Sequence, residues 1–168
     1  MSIDNLVMGF MQSIQSPGLI KFSEIISLVF DPFVIILASL IISIFLYFKK
    51  PRQEGIFFVF VILITGVLVK VVKAIFQRAR PLIALVQESG FSFPSGHMTM
   101  SIVFLVLIAY LFVSKKNRFG AMLVAVGLTL LIGFTRIYLQ VHWLTDVVGG
   151  FVLGGIILIL SLIIYRKI

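Results

Sequence analysis

Five apolar runs without a single charged residue dominate the hydrophobic pattern of the chain. They are continuously apolar, whereas the strands of a membrane β-barrel alternate apolar and polar positions. Several are slightly shorter than the roughly 20 residues that cross a bilayer, so their helices are expected to continue into the flanking polar motifs. The pattern predicts an all-α, polytopic transmembrane helical bundle with about five spanning helices, at residues 32–48, 55–69, 98–113, 119–134 and 147–165.

The first thirty residues have a different pattern. Asp4, Lys21 and Glu24 interrupt the apolar positions, and Pro17-Gly18 breaks the segment in two. This arrangement favours two short amphipathic helices that lie in the membrane interface. A first spanning helix is the alternative. We therefore expect one domain over 1–168, with an interfacial segment at 1–30 and the transmembrane bundle at 31–168.

Composition supports a membrane protein and excludes several other classes. The chain is 61% hydrophobic and 12% charged, with a mean hydropathy of +1.22, well beyond a soluble domain. It has no cysteine, so neither a disulfide framework nor a thiolate metal site can form. The net charge is +8, but no long basic tract indicates a nucleic-acid partner; the expected partner is the bilayer.

The short linkers predict the orientation of the bundle. Eight of the 14 Lys and Arg residues follow the first, third and fifth runs, which alternation places on one face: Lys49, Lys50, Arg52, Lys115, Lys116, Arg118, Arg166 and Lys167. The positive-inside bias makes that face cytoplasmic. Three polar motifs then share the opposite, outer face, although that face also carries several cations.

The first motif is Lys73-x6-Arg80-Pro81. On a continuing helix, a spacing of seven residues places Lys73 and Arg80 on nearly one face. Arginine offers a planar fork and lysine a point charge to phosphate oxygens. We expect these two cations to bind an anion, while Lys70 and Arg78 are expected to extend towards the interface.

The second motif, Pro94-Ser95-Gly96-His97, precedes the third run. Ser95 is a reasonable N-cap, and free backbone N–H groups at a helix start bind anions. Gly96 would allow a phosphate oxygen to approach closely. His97 would stand beside that phosphate and could protonate a leaving oxygen.

The third motif runs from Arg136 to His142 and Asp146. The spacing of four makes His142 and Asp146 neighbours at a helix start. A carboxylate on one ring nitrogen fixes the tautomer and leaves the other nitrogen to attack. Asp146 could alternatively serve only as a helix cap. A zinc site of two histidines and an aspartate is disfavoured by the neighbouring cations, among which Arg136 could be a third phosphate ligand. Together the motifs indicate a site that holds and breaks a phosphate ester.

All three motifs, in order from Lys73 to Asp146, resemble the signature of the type 2 phosphatidic acid phosphatase superfamily, which shares its core fold with vanadium haloperoxidases. The resemblance implies a metal-independent phosphatase without a cofactor that forms a phosphohistidine intermediate. His142 is then the nucleophile, Asp146 orients it, and His97 is the general acid. The implied phosphate ligands are Lys73, Arg80, Ser95, Gly96 and Arg136.

Two positions depart from the family pattern: Thr135 stands where serine is usual, and Gln140 where glycine is frequent. The short, basic-looped chain resembles bacterial lipid phosphatases of the cell membrane, with the active site on the extracytoplasmic face. The implied substrates are phosphatidylglycerol phosphate, undecaprenyl diphosphate or phosphatidic acid. A lipid A phosphatase or phosphotransferase is an alternative, and a non-enzymatic anion transporter or a vanadate-dependent oxidant is a more distant one.

Overall fold

The structure is a computed structural model that describes residues 2–49 and 52–167. Lys50, one of the basic linker residues, lies outside the described residues. Seven helices follow one another: α1 (Ile3–Ser13), α2 (Pro17–Val29), α3 (Pro32–Lys49), α4 (Arg52–Phe76), α5 (Gly96–Phe112), α6 (Arg118–Tyr138) and α7 (Leu144–Tyr165). The predicted all-α bundle is confirmed.

Two short helices form the N-terminal segment, as the pattern predicts. Ser2 Oγ accepts a hydrogen bond from Asn5 N–H and caps α1, and Ser16 Oγ accepts one from Leu19 N–H and caps α2. Pro17 occupies the first position of α2, where its missing N–H costs nothing. α1 packs against α6 and α7, and α2 packs against α6.

Each of the five apolar runs forms one helix, but they do not all have the length of a membrane span. Among the described residues, α4, α6 and α7 are long and apolar enough to cross a bilayer by themselves. α2 and α3 meet at a 44° bend and could form one broken span. α5 has 17 residues and is shorter. The expected count of about five spans therefore narrows to three or four by length and composition.

α5 occupies the centre of the bundle, where it packs against α3, α4, α6 and α7. Most of its residues are buried, including polar ones at its first turns. Its contact with α7 depends on glycine: a Cβ on Gly154 would lie 2.2 Å from Ile102 Cγ2, and one on Gly150 would lie 2.8 Å from the Ser95 carbonyl oxygen. These two glycines allow the close helix packing expected of small residues.

The helix directions place the polar motifs at one end of the bundle. At the opposite end, the rings of Phe57 at the start of α4, Tyr110 at the end of α5 and Tyr165 at the end of α7 lie together, with ring centroids 5.0 and 5.7 Å apart. The loop after α4, the start of α5 and the α6–α7 connection therefore meet at the other end. We call this the motif end, and the end with Tyr165 the basic-linker end.

Candidate active site

The first motif begins on α4 but does not continue along it. Lys73 lies in the last turn, α4 ends at Phe76, and Gln77 has a positive φ of 45° that turns the chain out of the helix. The expectation that Lys73 and Arg80 share a face of one helix is therefore wrong. A long loop, 77–95, brings Arg80 back beside Lys73 instead.

Backbone carbonyl groups hold both cations in place. Lys73 Nζ donates to the Phe91 carbonyl and, at 3.3 Å, to that of Ser92. Arg80 donates to the carbonyl oxygens of Val141 (2.8 Å), Gly90 (3.1 Å) and Ser89 (3.2 Å). These contacts fix the Arg80 guanidinium beside the third motif before any ligand arrives.

The second motif forms the start of α5. Ser95 has the N-cap position, but its side chain makes no capping hydrogen bond to any described residue. Its backbone N–H instead donates to the Asp146 carbonyl at 3.0 Å and joins the second motif to α7. His97 follows in the first turn and is buried; its Nε2 lies 3.2 Å from the Ser27 carbonyl and 3.9 Å from an Asp31 carboxylate oxygen.

Arg136 comes to the site from the last turn of α6 and is 1% exposed, so its charge is nearly sealed from solvent. Its guanidinium pairs with Glu88 of the 77–95 loop, and the same carboxylate lies 3.6 Å from Arg80 Nη2. Glu88 thus contacts two of the predicted phosphate-binding cations.

His142 and Asp146 meet as their spacing predicts. His142 Nδ1 lies 3.4 Å from Asp146 Oδ2, and the same oxygen accepts the Trp143 N–H at 2.9 Å. Asp146 therefore both caps α7 and faces the histidine. The other ring nitrogen, Nε2, points away from the carboxylate and lies 3.3 Å from Arg80 Nη1. The ring is thus held between a carboxylate and a predicted phosphate ligand.

Burial controls the charge state of His142. It lowers the pKa of His142 to about 4; the hydrogen bond that the ring donates to Asp146 opposes this, and Arg80, Arg136 and Lys73 reinforce it. The ring is therefore neutral at pH 7, with a lone pair available on one nitrogen. Burial also lowers the pKa of Arg80, opposed by Glu88 and Asp146, but a guanidinium remains charged at neutral pH.

Lys73, Arg80, His97 and His142 line a common cavity of about 340 Å³. Its polar lining comes from all three motifs and from Asp31, Lys70 and Glu88, and its apolar lining comes from α3. The lining residues are Asp31, Pro32, Phe33, Ile36, Lys70, Lys73, Arg80, Glu88, Gly96, His97 and His142. Buried Ser95 Oγ and Arg136 Nε have no hydrogen-bond partner in the part of the chain that the structure describes. Such donors need a partner when buried, and a bound phosphate could provide one.

The predicted site residues thus come together at one end of the bundle. Within 2–49 and 52–167, no group of three or more histidine or carboxylate side chains is arranged to hold a metal ion.

Two residues that the sequence pattern assigns to the membrane interface, Arg78 and Asp4, belong to the motif end. Arg78 does not extend freely to the interface: it donates to Asp146 Oδ1 at 2.6 Å and to Asp4 Oδ2 at 2.7 Å. Asp4, assigned only to an interfacial helix, is buried and also accepts the Thr145 N–H at 3.0 Å. The one sequence signal for Asp4 is a charge within an otherwise apolar helix face.

The backbone conformation of Gln140 explains why glycine is frequent at this position in the family that the motifs resemble. It has a positive φ of 58°, in the left-handed region that glycine adopts without strain. The residue is 2% exposed, and its side-chain nitrogen has no hydrogen-bond partner among the described residues. Gln140 therefore adds backbone strain to the turn before His142.

Comparison with known proteins agrees with this geometry. A family model described as the PAP2 superfamily matches residues 54–168. Phosphatidylglycerophosphatase B of Bacillus subtilis is 38% identical over 120 residues, 68% of this chain and 59% of the relative. Undecaprenyl-diphosphatase of Sulfolobus acidocaldarius is 30% identical over 126 residues, 71% of this chain and 59% of the relative. The alignments thus span about three fifths of these relatives.

Two crystal structures have the same fold. The transmembrane PAP2-type phosphatidylglycerolphosphate phosphatase of Bacillus subtilis superposes with a TM-score of 0.92 at 31% identity, covering 98% of this chain and 85% of that one. LpxE of Aquifex aeolicus superposes with a TM-score of 0.78 at 24% identity, covering 96% of each chain. The first similarity includes α1–α3, which precede the region that the family model matches.

Proposed function

The chain belongs to the PAP2 superfamily, and on that premise we propose that this integral membrane protein is a lipid phosphate phosphatase. The observation that carries the proposal is the convergence of three buried or half-buried cations on His142, whose second ring nitrogen faces a carboxylate. That convergence matches what phosphoryl transfer needs: fixed positive charge, a nucleophile and an acid.

The surroundings of the cavity support a lipid as the substrate. One wall is formed by Pro32, Phe33 and Ile36 at the start of α3, and Lys70 and Lys73 of α4 line the same cavity. A phosphorylated headgroup can therefore meet the cations while its apolar tail lies along α3 and α4 within the bilayer. A soluble phosphate ester would gain nothing from that apolar wall.

Phosphate binding follows from the positions of the donors. Lys73, Arg80 and Arg136 neutralise the negative charge, and Ser95 Oγ together with the N-terminal N–H groups of α5 at Gly96 can donate further hydrogen bonds. Glu88 contacts Arg136 and lies near Arg80 in the unliganded protein. Because phosphate would compete for these guanidinium groups, Glu88 is expected to move when the substrate binds.

In the first chemical step, His142 Nε2 attacks phosphorus while Nδ1–H stays directed at Asp146. The phosphorus–oxygen bond to the lipid breaks, and His97 donates a proton to the departing oxygen. Asp146 stabilises the positive charge that develops on the His142 ring. The products are the lipid alcohol, or a lipid monophosphate when the substrate is a diphosphate, and a phosphohistidine.

In the second step, water attacks the phosphohistidine. His97, now neutral, accepts the proton of this water, the phosphorus–nitrogen bond breaks, and inorganic phosphate leaves. The same three cations stabilise both transition states, so the mechanism requires no metal ion.

Phosphatidylglycerol phosphate is the substrate we propose first, because similarity to the Bacillus subtilis phosphatase extends over 98% of this chain. Undecaprenyl diphosphate is the second candidate, supported by the relative from Sulfolobus acidocaldarius. We further propose that 1–168 acts as one domain and that the motif end faces the extracytoplasmic side of a bacterial cell membrane, because the basic linkers lie at the opposite end.

The test is phosphate release by the purified full chain in mixed micelles with EDTA present. Phosphatidylglycerol phosphate, undecaprenyl diphosphate, phosphatidic acid and a lipid A monophosphate are compared at equal surface concentration, with vanadate as inhibitor. We expect metal-free, vanadate-sensitive turnover that is fastest for phosphatidylglycerol phosphate. Turnover that requires added zinc or magnesium would refute the mechanism, and faster cleavage of the diphosphate would reverse the substrate order.

A further inference from the structure

A partly buried polar network connects α1 to the partner of the nucleophile. Arg78, on the loop after α4, lies at its centre: Nη1 donates to Asp146 Oδ1 and to Thr145 Oγ1, both at 2.6 Å, and Nη2 donates to Asp4 Oδ2 at 2.7 Å. The Arg78 guanidinium also lies over the Trp143 ring, 5.6 Å from its centroid. One arginine thus contacts the first turns of α1 and α7.

Arg78 fixes the orientation of the Asp146 carboxylate. Oδ2 of Asp146 faces His142 and the Trp143 N–H, whereas Oδ1 accepts the hydrogen bond from Arg78. With both oxygens held, the carboxylate cannot rotate without losing a contact. The orientation of His142 therefore depends on Arg78 through Asp146.

Asp4 in turn holds Arg78 and the start of α7. Its Oδ1 accepts the Thr145 N–H at 3.0 Å, and its Oδ2 accepts hydrogen bonds from Thr145 Oγ1 at 2.8 Å and from Arg78. Burial raises the pKa of Asp4, but the Thr145 N–H and Arg78 outweigh this and hold the pKa below its usual value. The side chain is therefore a carboxylate at neutral pH, able to pair with Arg78.

The position of Asp4 on α1 fits this role. Asp4, Met8 and Met11 are the buried residues of α1, at the i, i+4 and i+7 spacing of one helix face. The two methionines supply apolar packing, whereas a buried carboxylate is costly unless it is paired. Asp4 also precedes the region that the family model matches, 54–168, so its contact belongs to the N-terminal segment of this chain.

We infer that Asp4 and Arg78 are positioning residues for the reaction proposed above: they hold the Asp146 carboxylate against His142 and make α1 a structural part of the active site. The inference depends on the proposed function, because its consequence is a loss of turnover. Neither residue lines the cavity that contains the cations. Loss of either should therefore reduce kcat with little change in KM.

The experiment compares Arg78→Gln, Arg78→Lys, Asp4→Asn and the double variant Asp4→Asn/Arg78→Gln in the full-length protein, with phosphatidylglycerol phosphate in mixed micelles. Glu24→Gln and Arg166→Gln are matched controls, because both side chains are exposed and carry the same charges. Thermal stabilisation by vanadate reports separately whether each variant keeps a folded phosphate site.

For Arg78→Gln we expect kcat to fall about tenfold to a hundredfold, the range seen when a group that holds a functional residue is lost. KM and vanadate stabilisation should stay near those of the wild type. Arg78→Lys should recover part of the loss, because one ammonium group keeps the charge but cannot copy the planar fork. Asp4→Asn should lower kcat less, and the double variant should resemble Arg78→Gln, since Asp4 acts through Arg78.

The pH dependence of kcat/KM distinguishes a positioning role of Arg78 and Asp4 from a general contribution to the stability of the fold. The titratable and charged groups around His142 are Asp146, Arg80, Arg136, Lys73, Glu88 and His97. Arg78 partly neutralises the first of these. Arg78→Gln leaves more negative charge beside His142, so the acid limb of kcat/KM should move to higher pH; Asp4→Asn removes a negative charge and should move it to lower pH.

If Arg78→Gln and Asp4→Asn fold, bind vanadate and turn over like the two controls, the inference is wrong although the proposed function stands. An additive loss in the double variant with an unchanged acid limb would also overturn it. If the wild type releases no phosphate from any of the four lipids, the proposed function itself fails.

Discussion

The two ends of the bundle use their charged residues in opposite ways. At the motif end, Arg136, Asp146 and His142 are almost completely buried, and each contacts a residue far away in the sequence, namely Glu88, Arg78 and Arg80 in that order. At the basic-linker end, Arg52 lies over the ring of Tyr47 at 4.9 Å, and Arg118 lies over that of Tyr110 at 4.4 Å. At the basic-linker end the cations lie beside aromatic rings near the linkers, whereas the charged side chains of the motif end come from several helices and from the 77–95 loop.

This difference explains how the cost of burial is offset. A buried ion is expensive unless partners surround it, and at the motif end the loop 77–95 supplies several of them as carbonyl oxygens and as Glu88. The basic-linker end needs no such loop, because its cations remain close to solvent and interfacial tyrosines. Substitutions at the two ends should therefore affect different properties, namely turnover at one and helix-end packing at the other.

The largest contrast is expected between Arg80→Ala and Arg118→Ala. Arg80 is held beside His142 Nε2, so its loss should lower kcat/KM by about a hundredfold to a thousandfold, as for other preorganised donors in active sites. Arg118→Ala should lose a cation–π contact, worth about 0.5–1 kcal/mol of stability, and a long hydrogen bond of 3.5 Å to the Val113 carbonyl. Steady-state kinetics and thermal unfolding of both variants test this. Equal kinetic losses would refute the functional difference between the two ends.

The second contrast concerns pH. A base with a lowered pKa is neutral above that pKa, and it is lost as a nucleophile only when the pH falls through it. With the pKa of His142 lowered to about 4 by burial, the acid limb of kcat/KM, which reports the loss of this nucleophile by protonation, should lie in the region of pH 4 to 5 and not near the ordinary pKa of a histidine. An acid limb at or above about 6.5, in protein that stays folded, would contradict the burial argument.

A smaller effect, on the affinity for vanadate, is expected from Glu88→Gln. The neutral amide no longer pairs strongly with Arg136, so phosphate should compete less for this cation. Vanadate should bind about fivefold more tightly, the equivalent of a partly exposed ion pair. Glu24→Gln is the matched control, with the same change at an exposed site on α2. Weaker vanadate binding in Glu88→Gln would indicate that the carboxylate helps to organise the cations.

The smallest effect concerns the turn before His142. Gln140→Gly removes a side chain from a residue with positive φ and should raise the thermal midpoint, with a gain of at most about 1 kcal/mol after the added freedom of the unfolded chain. Gln12→Gly, within α1, should lower the midpoint instead, because glycine weakens a helix. A destabilised Gln140→Gly variant would show that the buried amide contributes more than the strain costs.

The sequence was sufficient to predict the parts of the site that depend on the alternation of helices and on short spacings between residues. Alternating helices bring the three motifs to one end, and a spacing of four makes His142 and Asp146 neighbours. It was insufficient where an irregular loop decides the geometry. No proline or glycine follows Phe76 directly to mark the end of α4, so the sequence alone predicts that Arg80 lies on a continuing helix. The Asp4–Arg78 contact joins residues 74 positions apart, which local pattern cannot indicate.

The central claim is that His142 is the nucleophile, and trapping of the phosphoenzyme tests it most directly. The full-length protein is mixed with a ³²P-labelled lipid phosphate, quenched in alkali within milliseconds and digested, and the labelled peptide is identified. We predict an alkali-stable, acid-labile label on the peptide that contains His142, and no label in His142→Ala, whose phosphate cations are unchanged. Label on another residue, or label that persists in His142→Ala, would contradict this account.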